Sequence, residues 1–376
     1  MLKEEGYIYL DYNATAPLLP GIYDAMRESM EAPTNPSALH GLGQQAKRWV
    51  NRARRDVAEC VGAHPDHVIF TSGGTESNNL VLQGFPWKKT LVSAVSHDSV
   101  YKVLDSFDEI PVNAEGLLDL CALEDFLKTA EAPTLISVIL AHNESGVLQP
   151  LEDIVGLAKK YNAYTHVDAV QALGKVPLYF QSMHVDFLTV SSHKVGGPQG
   201  VGAVIAKNPS SLSPVMRGGG QERGVRSGTE NVSGIVGFAE ALKGQSLGHM
   251  KALKGWHFEM ERDLKNFCHE NGETLYIYGE DVERLPNTTC LSMLGIESAT
   301  QVMRFDLRGV AVSMGAACSS GRTQISRSLR NMASDPALAT WAIRVSSGWG
   351  SKEEDFKKFT SIWKEIYNSL RKESCS

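Results

Sequence analysis

An apolar, β-branched run, Val185-Asp186-Phe187-Leu188-Thr189-Val190, leads into Ser191-Ser192-His193-Lys194 and at once into a Gly/Pro cluster, Val195-Gly196-Gly197-Pro198-Gln199-Gly200. That order predicts a buried strand delivering polar side chains to a loop. A lysine held just beyond a buried strand loses hydration, which favours its neutral, nucleophilic form. Taken alone, Lys194 reads as a surface lysine after a strand. What changes the reading is Asp168, at the end of the preceding strand pattern Tyr164-Thr165-His166-Val167-Asp168. A lysine able to form a Schiff base and a carboxylate able to keep a pyridine nitrogen protonated are the two groups that pyridoxal phosphate requires. Successive strand ends lie at one sheet edge, where open α/β sheets bind ligands.

Other strands and helices alternate around this pair. Val68-Ile69-Phe70, residues 90–95, 134–140, 164–168, 185–190 and 200–206 read as strands, with 44–61 and 151–161 as helices between them. The alternation predicts an α/β fold, a mostly parallel central sheet covered by helices. Residues 7–10 read as a short strand, 233–269 as one helical stretch, 340–346 as a strand and 352–371 as an amphipathic helix. We place a domain boundary near 250. A large domain spans 15–250; residues 1–14 join 251–376 in a smaller α+β domain. The basic residues Lys47, Arg48, Arg52, Arg54 and Arg55 fall between the apolar positions of the 44–61 helix and read as a solvated face.

Several polar stretches can carry chemistry. Thr71-Ser72-Gly73-Gly74-Thr75-Glu76-Ser77-Asn78-Asn79 follows a strand and opens a helix, so a Thr-capped helix end offers backbone N–H groups to a phosphate. Ser191 and His193 can join them. His97, after a strand, is either structural or stacks on a ring and relays protons. Asn143 follows the buried strand ending at Leu140 and is placed to donate to a phenolate or carboxylate oxygen. Gln171 lies three residues past Asp168. The glycine- and arginine-rich segment Arg217–Asn231 is either a linker or an anion-binding loop. Arg344, mid-strand, is either a salt-bridge partner or a clamp for a carboxylate.

The chain carries six cysteines, at 60, 121, 268, 290, 318 and 375, with no CxxC pair. Their spacing argues against a zinc knuckle or disulfide framework and for a reducing compartment, the cytoplasm. Cys60, Cys121, Cys268 and Cys290 sit in periodic apolar patterns and read as inert core or half-core thiols. Cys318 lies among small residues in Gly315-Ala316-Ala317-Cys318-Ser319-Ser320-Gly321 and reads as an accessible nucleophile. A net charge of −6 disfavours nucleic acid or an anionic membrane as partner. No apolar run is long enough to span a bilayer, and no signal peptide opens the chain.

Together these motifs resemble the cysteine desulfurases of the nitrogen-fixation and iron–sulfur-cluster type, in the class V branch of pyridoxal-phosphate fold-type-I enzymes. The resemblance covers Asp11-Tyr12-Asn13-Ala14-Thr15, Asn35-Pro36-Ser37, Ser72 to Asn79, Asn143-Glu144, Val167-Asp168-Ala169-Val170-Gln171, Ser191 to Lys194 and the Arg217–Asn231 loop. It implies that Lys194 bonds the cofactor, Asp168 pairs with its ring nitrogen, and His97 stacks on the ring. It further implies that Gln171 and Asn143 serve the phenolic oxygen, and that Gly74, Thr75, Ser191 and His193 hold the phosphate. Thr229 then reaches the phosphate of a neighbouring subunit, making the protein a homodimer. Arg344, assisted by Asn143, grips the carboxylate of L-cysteine. Cys318, with His97 as the candidate base, takes the sulfur as a persulfide and leaves alanine. It passes the sulfur to an acceptor, an iron–sulfur scaffold or a sulfur relay for thio-cofactors or tRNA. Its contact with a metal is confined to the iron–sulfur assembly it feeds. Three positions depart from the family: Ser96 where a glutamate is usual before the histidine, Gln199 where a second lysine is common, and Met314-Gly-Ala-Ala-Cys ahead of the nucleophile. The ending Glu373-Ser374-Cys375-Ser376 is short beside the tail with which housekeeping members engage a scaffold, which leaves the acceptor open. Two other readings are an aminotransferase or selenocysteine lyase of the same class, and a non-catalytic assembly platform.

Overall fold

The structure, a computed structural model, describes residues 6–33, 35–314, 325–333 and 335–374. Cys318 and Cys375 lie outside the described residues.

Seven strands form the central sheet, in the spatial order Val68–Thr71, Gly202–Ala206, Phe187–Ser191, Tyr164–Asp168, Thr134–Ile139, Lys89–Ser93 and Asp108–Ile110. The five strands from Phe187–Ser191 outward run parallel. Gly202–Ala206 is antiparallel to both its neighbours. Thr134–Ile139, Phe187–Ser191 and Gly202–Ala206 are buried at every residue, as expected of strands covered on both faces. On one face Val68, Phe70, Ile136, Val167 and Leu188 pack against helices Gly41–Cys60 and Val232–Lys243; on the other Ile69, Val92, Leu135 and Val204 pack against Leu80, Val81 and Val100.

A second, four-stranded sheet runs Ser313–Met314, Ala342–Ser346, Thr288–Ser292, Tyr276–Ile277, all antiparallel. Helices Leu247–Glu270, Ser298–Asp306 and Glu353–Ser374 pack on it around Phe305, Phe359 and Trp363. The N-terminal strand Ile8–Tyr9 pairs with Val310–Ala311, and Asp11 bridges to Ser346. The start of the chain is therefore tied to this second sheet and crosses to the first.

Three local expectations are corrected. The helical stretch 233–269 is two helices, because Gly244 caps the first and the Ser246 side chain accepts from the His249 N–H to start the second. Arg54 does not belong to the solvated face. It is 9% exposed and forms a bidentate pair with Glu222. Of the four cysteines read as core or half-core thiols, Cys268 and Cys290 are buried but Cys60 and Cys121 are exposed, since their helix positions face solvent. No helix among the described residues is long and apolar enough to cross a membrane.

Candidate active site

The parallel register sets Asp168 opposite Thr189 on the neighbouring strand, two residues short of its end at Ser191. A single turn of 3₁₀ helix, Ser192–Lys194, then carries Lys194 back over that strand end. Both side chains line one cavity of about 280 Å³, with Gly74, Thr75, Asn78, His97, Asn143, Gln171, Ser191, His193 and Arg344. Residues from both sheets and from the N-terminal segment thus meet at the edge that the sequence singled out.

The phosphate-type end is built by backbone. Helix Gly74–Gln83 begins after Gly73, at φ +148°, and no side chain caps it, so Thr75 lies inside the first turn instead of at the cap. The helix end, positive and without a side-chain cap, can take an anion. A Cβ on Gly74 would lie 2.9 Å from Val170 Cγ2, so the strand and helix can close this tightly only around glycine. Ser191 is buried at the same end. His193 Nδ1 lies 3.2 Å from Thr15 Oγ1. Burial, with Lys194 nearby, pushes its pKa down to about 4, so it is neutral and can donate from one nitrogen.

At the opposite end a chain of hydrogen bonds fixes the carboxylate. Asn78 Nδ2 donates to Asp168 Oδ2 at 2.9 Å and to Ser99 Oγ at 2.8 Å, while the Val170 N–H donates to Asp168 Oδ1. Ser99 Oγ in turn lies 2.8 Å from His97 Nδ1, which also accepts from the Ser99 N–H. Nδ1 is therefore the acceptor nitrogen, and a neutral His97 carries its proton on Nε2. Lys194 Nζ donates to the carbonyls of Asn13 at 2.7 Å and Ala14 at 2.8 Å. Arg344, 4% exposed, donates to the Asn143 carbonyl at 2.9 Å and pairs with Asp11 at 2.7 Å. Pyridoxal phosphate fits this donor set: a cradle of N–H groups, an oriented carboxylate, an amine between them and a guanidinium at the rim.

Of the expected site residues, Lys194, His97, Gly74, Thr75, Asn143, Asp168, Gln171, Ser191, His193 and Arg344 converge on the cavity. Thr229 does not line it. It is exposed on the 217–231 segment, two of whose three arginines are taken up by carboxylates: Arg226 by Glu76 at 2.8 Å and Arg223 by Asp66 at 3.0 Å. That segment leaves its backbone, Thr229 and the exposed Arg217, not these two guanidinium groups, for an anion. Sequence reasoning assigned no role to Asn13, Asn78 or Ser99. For Asn78 a signal existed, since it lies one helical turn beyond the Gly74-Thr75 cradle.

The aminotransferase class-V family matches residues 8–359. Over 97% of its length the chain is 34% identical to "Cysteine desulfurase IscS" of Dictyoglomus turgidum, covering 95% of that protein. It is likewise 34% identical to a mitochondrial cysteine desulfurase of Arabidopsis thaliana, over 98% of this chain and 84% of the plant protein. Among solved structures, a NifS-like protein from Rickettsia africae superposes with a TM-score of 0.88 at 34% identity, over 96% of this chain and 99% of that one.

Proposed function

Because the chain belongs to the class V aminotransferase family, within its cysteine desulfurases, we propose the following division of labour for a pyridoxal-phosphate-dependent conversion of L-cysteine to L-alanine. The protein is a cysteine desulfurase of fold type I. The observation that carries the site assignment is the shared cavity of Lys194, Asp168 and Arg344, with the N-terminus of helix Gly74–Gln83 at its far end.

When bound, the cofactor supplies an electron sink that makes the substrate Cα proton removable. Asp168, held by Asn78 and the Val170 N–H, keeps the ring nitrogen protonated. Gln171 and Asn143 serve the phenolic oxygen, and His97 lies against the ring. Gly74, Thr75, Ser191 and His193 hold the phosphate, with Thr229 of a second copy completing it in a homodimer. Arg344 orients the substrate carboxylate. Lys194, retained between the Asn13 and Ala14 carbonyls, accepts the Cα proton once freed. Cys318 as thiolate attacks the substrate sulfur. The S–S bond forms as the carbon–sulfur bond breaks, its electron pair stays with carbon, and carbon is protonated to give alanine. The persulfide sulfur then passes to an acceptor, an iron–sulfur scaffold or a sulfur relay, and contact with metal is confined to that hand-over. We take the working unit to be a larger domain over 15–250 and a smaller one formed by 1–14 and 251–376, acting in the cytoplasm.

The test measures alanine and sulfide from L-cysteine under reducing conditions, with the visible spectrum of the purified protein. Equal amounts of both products from the wild type, and loss of sulfide with the cofactor band intact in Cys318→Ala, are expected. Turnover that survives Cys318→Ala would move the protein to the aminotransferase or lyase side of the family.

A further inference from the structure

Lys175 is 5% exposed, buried behind the cavity, and takes no part in the chemistry above. It lies on the turn that follows Asp168, one helical repeat past Gln171, so the two side chains share a side. Its Nζ donates to Gln171 Oε1 at 2.8 Å and to Asn13 Oδ1 at 2.7 Å. Gln171 Nε2 donates to the Asn13 carbonyl at 2.9 Å, the same oxygen that receives Lys194 Nζ. Burying an amine here is costly, and desolvation, with Lys194 and Arg344 nearby, holds the Lys175 pKa well below that of an ordinary lysine. A buried amine that, among the described residues, donates only to side-chain carbonyls of two cavity-lining residues has a recognisable consequence. A side-chain amide has one acceptor end and one donor end. With Lys175 at its oxygen and the Asn13 carbonyl at its nitrogen, a flipped Gln171 would set donor against donor and acceptor against acceptor. Lys175 also fixes Asn13, so it holds both partners of the Gln171–Asn13 bond.

We propose that Lys175 is a positioning residue for the cofactor site: it locks the Gln171 amide so that the remaining N–H of Nε2, and not the oxygen, faces the cavity. This rests on the reading that Gln171 serves the cofactor's phenolic oxygen. A donor there stabilises the oxygen's negative charge and weakens its hold on the proton shared with the Lys194 nitrogen. Loosening the amide therefore raises the pH at which the bound cofactor's visible absorption titrates.

The experiment is a spectral pH titration of the holoenzyme for wild type, Lys175→Met, Lys175→Gln, Gln171→Ala and the Lys175→Met/Gln171→Ala pair. Lys175→Met removes the donor and is expected to raise the midpoint by about one pH unit. Lys175→Gln retains a donor without a charge and is expected to restore the wild-type midpoint. In the Gln171→Ala background the methionine substitution should add nothing. An unshifted Lys175→Met, an equal shift in the Gln171→Ala background, or a Lys175→Gln that shifts like the methionine variant would overturn the proposal. If Lys175→Met does not fold, Lys175→Gln alone decides it by keeping or losing the wild-type midpoint. A Gln171→Ala midpoint equal to wild type would instead sink the assignment of Gln171 to the phenolic oxygen.

Discussion

Arg344 already has a carboxylate partner inside its own chain: Asp11, from the N-terminal segment, pairs with it at 2.7 Å. A second nitrogen of the guanidinium donates to the Asn143 carbonyl, and Nε is buried with no hydrogen-bond partner among the described residues. The strand Ala342–Ser346 fixes the backbone beneath it. The planar fork is thus preset before a ligand arrives, with both terminal nitrogens already held in place.

Arg344→Lys should therefore leave the cofactor in place and damage substrate capture. A lysine keeps the charge but loses the fork and cannot hold Asp11, the Asn143 carbonyl and a substrate carboxylate together. We expect kcat/KM for L-cysteine to fall roughly 10–100-fold, mostly through KM, equivalent to about 1.4–2.8 kcal/mol. Steady-state kinetics beside the cofactor spectrum checks this. A fall confined to kcat would remove Arg344 from carboxylate binding.

Asn78→Ala should weaken cofactor retention. The Asn78 amide is the only side chain donating to Asp168 among the described residues, and a hydrogen bond to a charged group is worth about 1.5–3 kcal/mol. We expect cofactor dissociation to be about tenfold stronger, read from equilibrium dialysis. Asn78→Asp should be worse, because two carboxylates at this distance cannot both ionise and the ring nitrogen loses its counter-charge. Equal retention in all three proteins would mean that Asp168 needs no orientation.

The sheet, the Asp168–Lys194 pair and the glycine cradle were legible in the sequence because each is a local pattern, a strand run ending in polar or glycine residues. The residues that orient them were not. Asn78 matters through Asp168, Ser99 through Asn78, and Lys175 through Gln171 and Asn13. Those contacts cross between strand ends that a periodicity reading treats one at a time. Asn13 is the extreme case, since it joins the N-terminal segment to Gln171 and Lys175 on one side and to Thr288 on the other. Arg54 was misplaced for a related reason. Helical spacing puts it beside arginines that face water, but its partner comes from the distant 217–231 segment.

Stability should fall steeply on mild acidification. Burial holds His142 and His257 down to about 3 and His166 to about 4, against an ordinary 6.5. Below pH 6.5 the unfolded chain binds protons that these folded imidazoles refuse, so stability rises with pH between about 4 and 6.5 and levels off above it. Each fully titrating histidine contributes a slope of about 1.4 kcal/mol per pH unit. Glu144, pushed up to about 7 by desolvation, works against them between 4.5 and 7 and offsets about one of the three. Urea midpoints at pH 7 and pH 5 read this directly. A flat profile over that range would show that the three imidazoles accept protons in place.

Of the ion pairs that hold the 217–231 segment, the buried one between Arg54 and Glu222 should matter most. Glu222 and Arg223 take left-handed backbone conformations, φ +44° and +60°, which side-chain-bearing residues seldom adopt. Arg223 is tied to Asp66 and to the Val68 carbonyl at the surface, and Glu222 is the buried anchor. Its two oxygens receive Arg54 Nη1 at 2.8 Å and Nη2 at 2.6 Å, and one also receives the Phe70 N–H at 2.8 Å. Arg54 adds a bond to the Val68 carbonyl at 2.7 Å and lies over the Phe70 ring. The pair therefore pins the segment to the edge strand Val68–Thr71, which feeds directly into the glycine cradle. Breaking it from one side strands a buried charge, so Arg54→Met and Glu222→Gln should each cost about 3–5 kcal/mol in urea unfolding. Arg54→Met/Glu222→Leu removes both charges and should cost distinctly less than either single change predicts, because no ion is left unpaired. If Thr229 reaches the phosphate of a second copy, each single variant should also loosen the cofactor. Single variants as stable as wild type would show that this segment is held by something other than Glu222.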